Sequence, residues 1–375
     1  MHDMIRRLYV HNYRCLGNFE APIVGHSSVL FIGKNGTGKT TLGLALEILQ
    51  RIARGTNRVG ELVKPRDLRE RGVPMRFEIE VELNHKVFKY AIAFEYPDGF
   101  RELRVLEEML TVGGKPIYIR EMAQVRLTRE AQEKEASFRI DWHLVALPIV
   151  QHRATNDPLF IFKQWLASIL VLRPVPSSIR GDSDHETLQP NTQATDIGAW
   201  FAGLFAQAPA SYSKIEAYLK QVMPDFLDIQ NPQVGGESRS MFLRFSNQQG
   251  TLTLPFEYLS DGEKCFVIFA MVIAANDTVG PLCCYWDDPD NHLAPSEVGM
   301  AVMALRRAFK THGQFIATSH DPEAIRSFSD ENTFVLYRNS HLEPTLVRSV
   351  DQIRSSGTFK GDLIDALVRG DVDDS

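Results

Sequence analysis

The sequence predicts an α/β protein with a parallel sheet that carries a phosphate site at one edge. Three observations lead to this prediction: a glycine-rich loop between an apolar run and an amphipathic pattern, two aspartates directly after a second apolar run, and a histidine directly after a third. Ligands of open α/β sheets bind at the carboxyl ends of the strands. Polar side chains that follow three such strands are therefore expected to meet at one edge.

The glycine-rich loop has the pattern of a P-loop. The apolar run 28–32 predicts a buried strand, and Gly33-Lys34-Asn35-Gly36-Thr37-Gly38-Lys39-Thr40 follows it. Apolar residues then recur with the period of a helix over residues 42–53, up to Gly55. In this context of strand, glycine loop and helix, backbone N–H groups and a helix N-terminus bind phosphate.

The polar residues of the loop have expected roles at a nucleotide. We expect Lys39 to reach the β- and γ-phosphates of ATP and the Thr40 hydroxyl to hold Mg²⁺. The loop residues expected to contact the nucleotide are Asn35, Gly36, Gly38, Lys39, Thr40 and Thr41.

Two further apolar runs end at ionisable residues. Residues 281–286 lead into Asp287 and Asp288, as a central strand does at a phosphate site. We expect Asp287 to contact Mg²⁺, directly or through water, and Asp288 to orient the attacking water as a catalytic carboxylate. The run 315–319 delivers His320 to the same edge, where a catalytic role in sensing the γ-phosphate is expected.

A second short motif, Leu259-Ser260-Asp261-Gly262-Glu263, permits two interpretations that do not exclude each other. Ser260 and Glu263 have the spacing of a capping box at a helix N-terminus. A capped helix with Gly262 close to its start is also a site for an anion.

The order of these segments resembles the heads of the SMC and RecF-like branch of the ABC ATPases. Residues 9–16 resemble the opening strand and Asn-Phe-Arg segment of that branch, and residues 287–293 and 317–325 follow in family order. The resemblance implies one ABC ATPase head that binds ATP and Mg²⁺, with Arg14 as a further nucleotide-binding residue. It also implies that the motif at 259–263 is the signature, which contacts the nucleotide of a partner subunit. The expected assembly is a homodimer, or a higher oligomer built on dimers, and its signature contacts are Ser260, Gly262 and Glu263.

Within that branch, the Ser-Asp-Gly signature and residues 319–325 resemble the stand-alone ATPases of bacterial anti-phage systems. These are the Septu and retron-associated ATPase subunits and the ATPase part of overcoming-lysogenisation nucleases. The resemblance implies a separate effector partner, for example an HNH nuclease. Two alternatives stay open: a nucleotide-gated scaffold with negligible turnover, and a RecF-like DNA-repair ATPase. Basic residues between Arg51 and Arg71 are the one hint of a nucleic-acid partner.

Two departures from the family pattern carry predictions. Asp288 stands where glutamate is usual. Its side chain is shorter by one C–C bond, so its carboxylate lies roughly 1.5 Å closer to the backbone. Because a misplacement on the order of 1 Å can cost about a hundredfold in rate, we predict slow ATP hydrolysis. The stretch between P-loop and signature contains no run of three or four heptads, so no long coiled coil is expected.

The expected organisation is a single head spanning residues 1–375. Residues 1–150 and 276–375 would form a RecA-like P-loop α/β lobe, and residues 151–275 a mainly helical signature lobe. The glutamine of the loop that usually lies between P-loop and signature stays undecided between Gln151 and Gln124.

Composition sets the remaining bounds. The net charge of −6 does not favour nucleic-acid binding by the chain as a whole. The longest apolar run, at residues 265–275, is well below the roughly 20 residues that a bilayer helix needs, so no membrane partner is expected. The N-terminal residues lack the apolar core of a signal peptide, and we expect a cytoplasmic protein.

Overall fold

The structure, a computed structural model, describes residues 3–128, 136–152 and 154–355. Its strands are β1 (Met4–His11), β2 (Phe19–Glu20), β3 (Ser28–Ile32), β4 (Met75–Leu83), β5 (Lys86–Glu95), β6 (Arg104–Val112), β7 (Lys115–Glu121), β8 (Gln124–Leu127), β9 (Ala136–Arg139), β10 (Leu170–Leu172), β11 (Phe226–Gln230), β12 (Phe242–Asn247), β13 (Gly250–Pro255), β14 (Cys283–Trp286), β15 (Gln314–Thr318), β16 (Thr333–Tyr337) and β17 (Leu346–Ser349). Its helices are α1 (Lys39–Ala53), α2 (Val59–Leu62), α3 (Pro158–Ser168), α4 (Ile197–Gln207), α5 (Ser211–Val222), α6 (Asp261–Thr278), α7 (Pro295–Ala308), α8 (Pro322–Arg326) and α9 (Val350–Ser355).

The chain divides into two compact units. As far as its residues are described, the first unit consists of Met1–His26, Phe31–Ile169 and Asp330–Ser375. The second unit consists of Ser27–Leu30 and Leu170–Ser329. Residues 276–329 therefore fall with the signature segment, whereas the sequence analysis grouped them with the P-loop. The predicted lobes, as a functional division, remain a proposal.

An antiparallel sheet dominates the first unit. Its eight strands have the order β2-β1-β4-β5-β6-β7-β8-β9. The alternation of residues 77–83 predicts a strand with one buried face, and β4 confirms it. The α/β fold is thus richer in antiparallel strands than the sequence analysis anticipated.

A buried carboxylate anchors the segment after this sheet. Glu108 accepts hydrogen bonds from the hydroxyls of Tyr90 (3.0 Å) and Tyr118 (2.8 Å) and from the amides of residues 146 and 147 (2.7 and 2.8 Å). The Arg120 guanidinium lies 3.5 Å from the same carboxylate. Burial and the charge of Glu108 raise the pKa of both tyrosines, which stay protonated donors. A buried charge with its hydrogen bonds satisfied in this way fixes the loop that leads toward α3.

The six-stranded sheet has the order β10-β14-β15-β3-β16-β17. The strands β3, β14 and β15 are buried along their whole length, and their sequences are predominantly apolar. Such sequences are typical of parallel strands that are covered on both faces, so the strands predicted at 28–32, 281–286 and 315–319 are confirmed.

The signature segment lies in the second unit, where α6 is buried on most of its circumference. An unexpected three-stranded sheet, β11-β12-β13, precedes α6 in the segment that the sequence analysis assigned to helices. At 18 residues, α6 is the longest helix in the described ranges, and no long coiled coil is present there. No helix among the described residues combines the length and apolar character needed to cross a membrane.

Candidate functional site

The loop between β3 and α1 depends on glycine. Gly36 and Gly38 have φ values of 85° and 106°, in the left-handed range that glycine adopts readily. A Cβ on Gly33 would lie 2.2 Å from the backbone oxygen of Leu336, and one on Gly38 would lie 2.9 Å from Cys15 Sγ. Neighbouring chain segments therefore pack directly against the loop backbone.

The predicted phosphate-binding residues gather at the start of α1. Lys39 is buried, and its ammonium donates to the carbonyls of Gly33 and Lys34. Asn35, Gly36 and Thr40 are exposed, while Thr41 is half-buried and accepts a hydrogen bond from Cys15 Sγ at 3.5 Å. The first amides of a helix have no partners within the helix, so this end combines their N–H groups, the helix dipole and a lysine charge. Such a cluster attracts an anion.

Two residues that the sequence analysis missed support the loop. The Thr345 hydroxyl donates to the backbone oxygen of Thr37 at 2.8 Å, and Arg338 Nη1 donates to that of Gly36 at 3.0 Å. These partners lie 308 and 302 positions apart in the chain, so no local pattern marks them.

Arg14 belongs to the segment packed on this loop. Its neighbour Cys15 approaches Gly38, and the Cys15 oxygen accepts a hydrogen bond from the Thr345 amide at 2.9 Å. The Arg14 side chain itself pairs with Asp67, with Nε to Oδ1 at 3.0 Å. Arg14 therefore stands beside the P-loop in a partly exposed ion pair.

In the second unit, the two aspartates leave β14 beside the end of β15. Asp287 is buried and its Oδ1 lies 2.8 Å from the hydroxyl of Thr318, while its Oδ2 makes no hydrogen bond with a described residue. The Asp288 amide donates to the same hydroxyl at 2.9 Å. Asp288 has a φ of 49°, which aspartate tolerates better than most residues.

His320 and Asp290 lie on the same side of this strand end. His320 Nδ1 is 3.9 Å from Asp288 Oδ1, and the imidazole is 64% exposed. Asp290 is buried, its carboxylate is hydrogen-bonded by Ser319, and its Oδ1 finds no partner among the described groups. Burial raises the pKa of Asp290 to about 6. The sequence analysis did not anticipate this carboxyl with a raised pKa.

The capping box predicted at the signature is confirmed. Ser260 is the N-cap of α6: its hydroxyl accepts from the Glu263 amide at 3.3 Å, and Glu263 Oε2 accepts from the Ser260 amide at 2.8 Å. A Cβ on Gly262 would lie 3.0 Å from the backbone oxygen of His292. In the same unit, the segment after the aspartates thus packs against the signature.

Neither glutamine candidate is placed at a phosphate site by its contacts. Gln124 lies in β8, where its backbone pairs with Glu121, and Gln151 follows the loop anchored by Glu108. Both side chains are exposed and form no hydrogen bond with a described residue. The choice between them stays open.

Comparison with known proteins adds a family and a fold. The family described as "AAA domain, putative AbiEii toxin, Type IV TA system" matches residues 28–326. No curated protein matches the chain. A crystal structure of an Smc head bound to the C-winged helix domain of ScpA has a TM-score of 0.56 at 14% identity, covering 93% of this chain and 99% of that one. An Smc head with an extended coiled coil, bound to the C-terminal domain of ScpA and derived from Pyrococcus furiosus, has a TM-score of 0.56 at 12% identity, covering 94% and 98%. These structures show that the chain has the fold of an SMC head.

The buried carboxyl of Asp290 predicts a pH dependence of stability. A pKa of about 6, against 3.8 in an ordinary aspartate, means that the folded protein binds this proton more tightly than the unfolded chain. Stability contributed by the neutral form is therefore present below pH 4 and lost as the pH rises to 6. Relative to Asp290→Asn, the wild type should lose on the order of 2 kcal/mol across that window. Urea unfolding at pH 4 to 7 measures this, with Asp98→Asn at an exposed turn as control. Parallel curves for wild type and Asp290→Asn would contradict it.

Proposed function

The chain belongs to this AAA-domain family, and we propose that it acts as an ATP-gated dimer with slow turnover that controls a separate effector. As a member of the family with an SMC-head fold, it is a P-loop ATPase. ATP with Mg²⁺ is the cofactor that such a fold implies. The finer parts of the proposal concern the roles of single residues, the dimer, the rate and the effector.

The start of α1 supports the phosphate-binding half. Lys39, the N-terminus of the helix and the glycine loop place positive charge where β- and γ-phosphates would bind. We assign the remaining loop contacts to Asn35, Gly36, Gly38 and Thr41, and we assign Arg14 to the same nucleotide. The exposed Thr40 hydroxyl is suited to ligate Mg²⁺, which prefers oxygen ligands.

The end of β14 supports the metal and water half. Asp287 offers Oδ2, which forms no hydrogen bond with any residue that the structure describes, as a Mg²⁺ ligand, while its other oxygen is held by Thr318. Asp288 would orient the attacking water, and the exposed His320 would contact the γ-phosphate. The metal supplies charge neutralisation at the phosphates, and the protein supplies the fixed carboxylates.

The observation that carries the dimer is the exposed, capped start of α6. Ser260 and Asp261 are exposed, and Gly262 adds no side chain of its own to the first turn. A helix N-terminus of this kind favours an anionic group. We propose that Ser260, Gly262 and Glu263 meet the nucleotide held by the P-loop of a second copy, so that ATP joins two subunits.

Signature variants that keep the cap test the dimer. Asn and Asp both cap helices about as well as Ser, so Ser260→Asn and Ser260→Asp should both fold. Ser260→Asp adds a negative charge opposite the phosphates, and like-charge repulsion should prevent dimer formation. In an Asp288→Asn background, light scattering with MgATP should show dimers for Ser260→Asn and monomers for Ser260→Asp. Equal dimerisation of both variants would exclude the signature from the nucleotide interface.

The backbone at Asp288 offers a reason for the short carboxylate. Its φ of 49° lies in the left-handed region, where Asp and Asn are enriched and longer side chains are not. A hydrogen bond from the Asp288 amide to the Thr318 hydroxyl holds this conformation. Aspartate thus suits the turn better than glutamate does, but its carboxylate reaches less far toward the attacking water.

Extending the carboxylate should accelerate hydrolysis. We expect Asp288→Glu to raise the single-turnover rate by about tenfold or more, because the side chain gains one C–C bond, roughly 1.5 Å, of reach toward the water. The left-handed backbone should make this variant less stable, by about 1 kcal/mol. Asp288→Asn keeps the backbone preference and removes the base, so it should abolish turnover while ATP binding persists. An unchanged or lower rate in a folded Asp288→Glu would contradict slow hydrolysis through a short carboxylate.

Control of an effector is proposed from the motif resemblance to anti-phage ATPases and from the family description, which names a toxin of type IV toxin–antitoxin systems. The effector would be a separate protein, for example an HNH nuclease. Expression with the neighbouring reading frames, followed by phage plaque assays, tests this. Loss of protection in Lys39→Ala would support the proposal. Unchanged protection in both Lys39→Ala and Asp288→Asn would contradict it.

Two alternatives remain in view. Equal effector control by wild type and Asp288→Asn would favour a nucleotide-gated scaffold.

A RecF-like DNA-repair role gains some support from Arg58 and Arg66, which are exposed and form no ion pair with a described residue. Arg54 and Arg69 are half-buried and donate to backbone carbonyls of the first unit, so Arg58 and Arg66 are the residues to substitute. ATPase activity raised by duplex DNA in wild type and not in Arg58→Ala/Arg66→Ala would favour this role.

A further inference from the structure

The hydroxyl of Thr318 connects the two aspartates that follow β14. Thr318 is completely buried at the end of β15, one residue beyond the pair of Trp286 and Ala317 in the parallel register. Its oxygen lies 2.8 Å from Asp287 Oδ1 and 3.1 Å from Asp288 Oδ1. The same oxygen accepts the Asp288 amide at 2.9 Å. Four polar groups thus meet at one buried point.

A hydroxyl has one proton, so it cannot donate to both carboxylates at once. The shorter distance assigns the proton to Asp287. The Thr318 hydroxyl therefore donates to the Asp287 carboxylate and accepts from the Asp288 amide. One side chain thus holds groups of both aspartates. The orientation of the Asp287 carboxylate and the backbone turn at Asp288 are therefore set together.

We propose that Thr318 is a positioning residue for the metal site, which orients Asp287 toward Mg²⁺ and holds the turn that carries Asp288. This inference rests on the proposed function, because it takes Asp287 as the ligand. The group that orients a metal ligand controls metal affinity, and its loss typically costs about 10- to 100-fold. Threonine also suits a buried strand for its branched shape alone, so the hydroxyl must be tested separately from the shape.

Two matched pairs isolate the hydroxyl. Wild type and Thr318→Val share the branched shape and differ in the hydroxyl. Thr318→Ser and Thr318→Ala both lack the methyl group and also differ in the hydroxyl. The probe is Mn²⁺ in the presence of the non-hydrolysable nucleotide AMP-PNP, titrated by electron paramagnetic resonance, and thermal unfolding reports whether each variant is folded.

We expect wild type and Thr318→Ser to bind Mn²⁺ with similar affinity, and Thr318→Val and Thr318→Ala to bind it about 10- to 100-fold more weakly. If Thr318→Val fails to fold, the serine and alanine pair decides. Equal Mn²⁺ affinity within a folded pair overturns the positioning role and leaves the proposed ATPase intact. A wild type that binds no Mn²⁺ with AMP-PNP, or binds it equally well as Lys39→Ala, overturns the proposed function and this inference with it.

Discussion

The parallel register between β14 and β15 is the constraint on which the acid cluster of the second unit depends. Trp286 pairs with Ala317, so the next residues of the two strands leave the sheet side by side. One strand then contributes Asp287 and Asp288, and the other contributes Thr318 and the residues after it. A shift of one residue would turn every side chain to the opposite face and separate the hydroxyl from the carboxylates. Complete burial of both strands makes such a shift costly.

The P-loop of the first unit is organised by a different constraint, the close packing of other chain segments on the loop backbone. Gly33 and Gly38 leave no room for a side chain against Leu336 and Cys15. Hydrogen bonds from Thr345 and Arg338 then hold the backbone oxygens of Thr37 and Gly36. Each unit therefore presents groups that its own contacts already hold in place.

Local patterns were sufficient for part of this architecture. The apolar run, the glycines and the helical period predicted β3, the loop and α1, because each of these depends on neighbouring residues. The capping box at Ser260 was predicted for the same reason. Long-range partners were not predictable. Thr318 resembles any β-branched residue in an apolar strand, Thr345 acts across 308 positions, and the left-handed backbone of Asp288 is set by a neighbouring strand. The three-stranded sheet before α6 was missed because short alternating runs are difficult to distinguish from loops.

The central claim is that the P-loop of one subunit works with the signature of another. The most direct measurement is ATPase activity in a mixture of Lys39→Ala and Ser260→Asp, each inactive alone. A heterodimer of the two contains one intact composite site and one site with both lesions. In an equimolar mixture with independent sites, activity should recover to about a quarter of the wild-type value if all subunits pair at random. It should recover to about half if only the heterodimer forms. No recovery, in a mixture shown to exchange subunits, would contradict a nucleotide site shared between two copies.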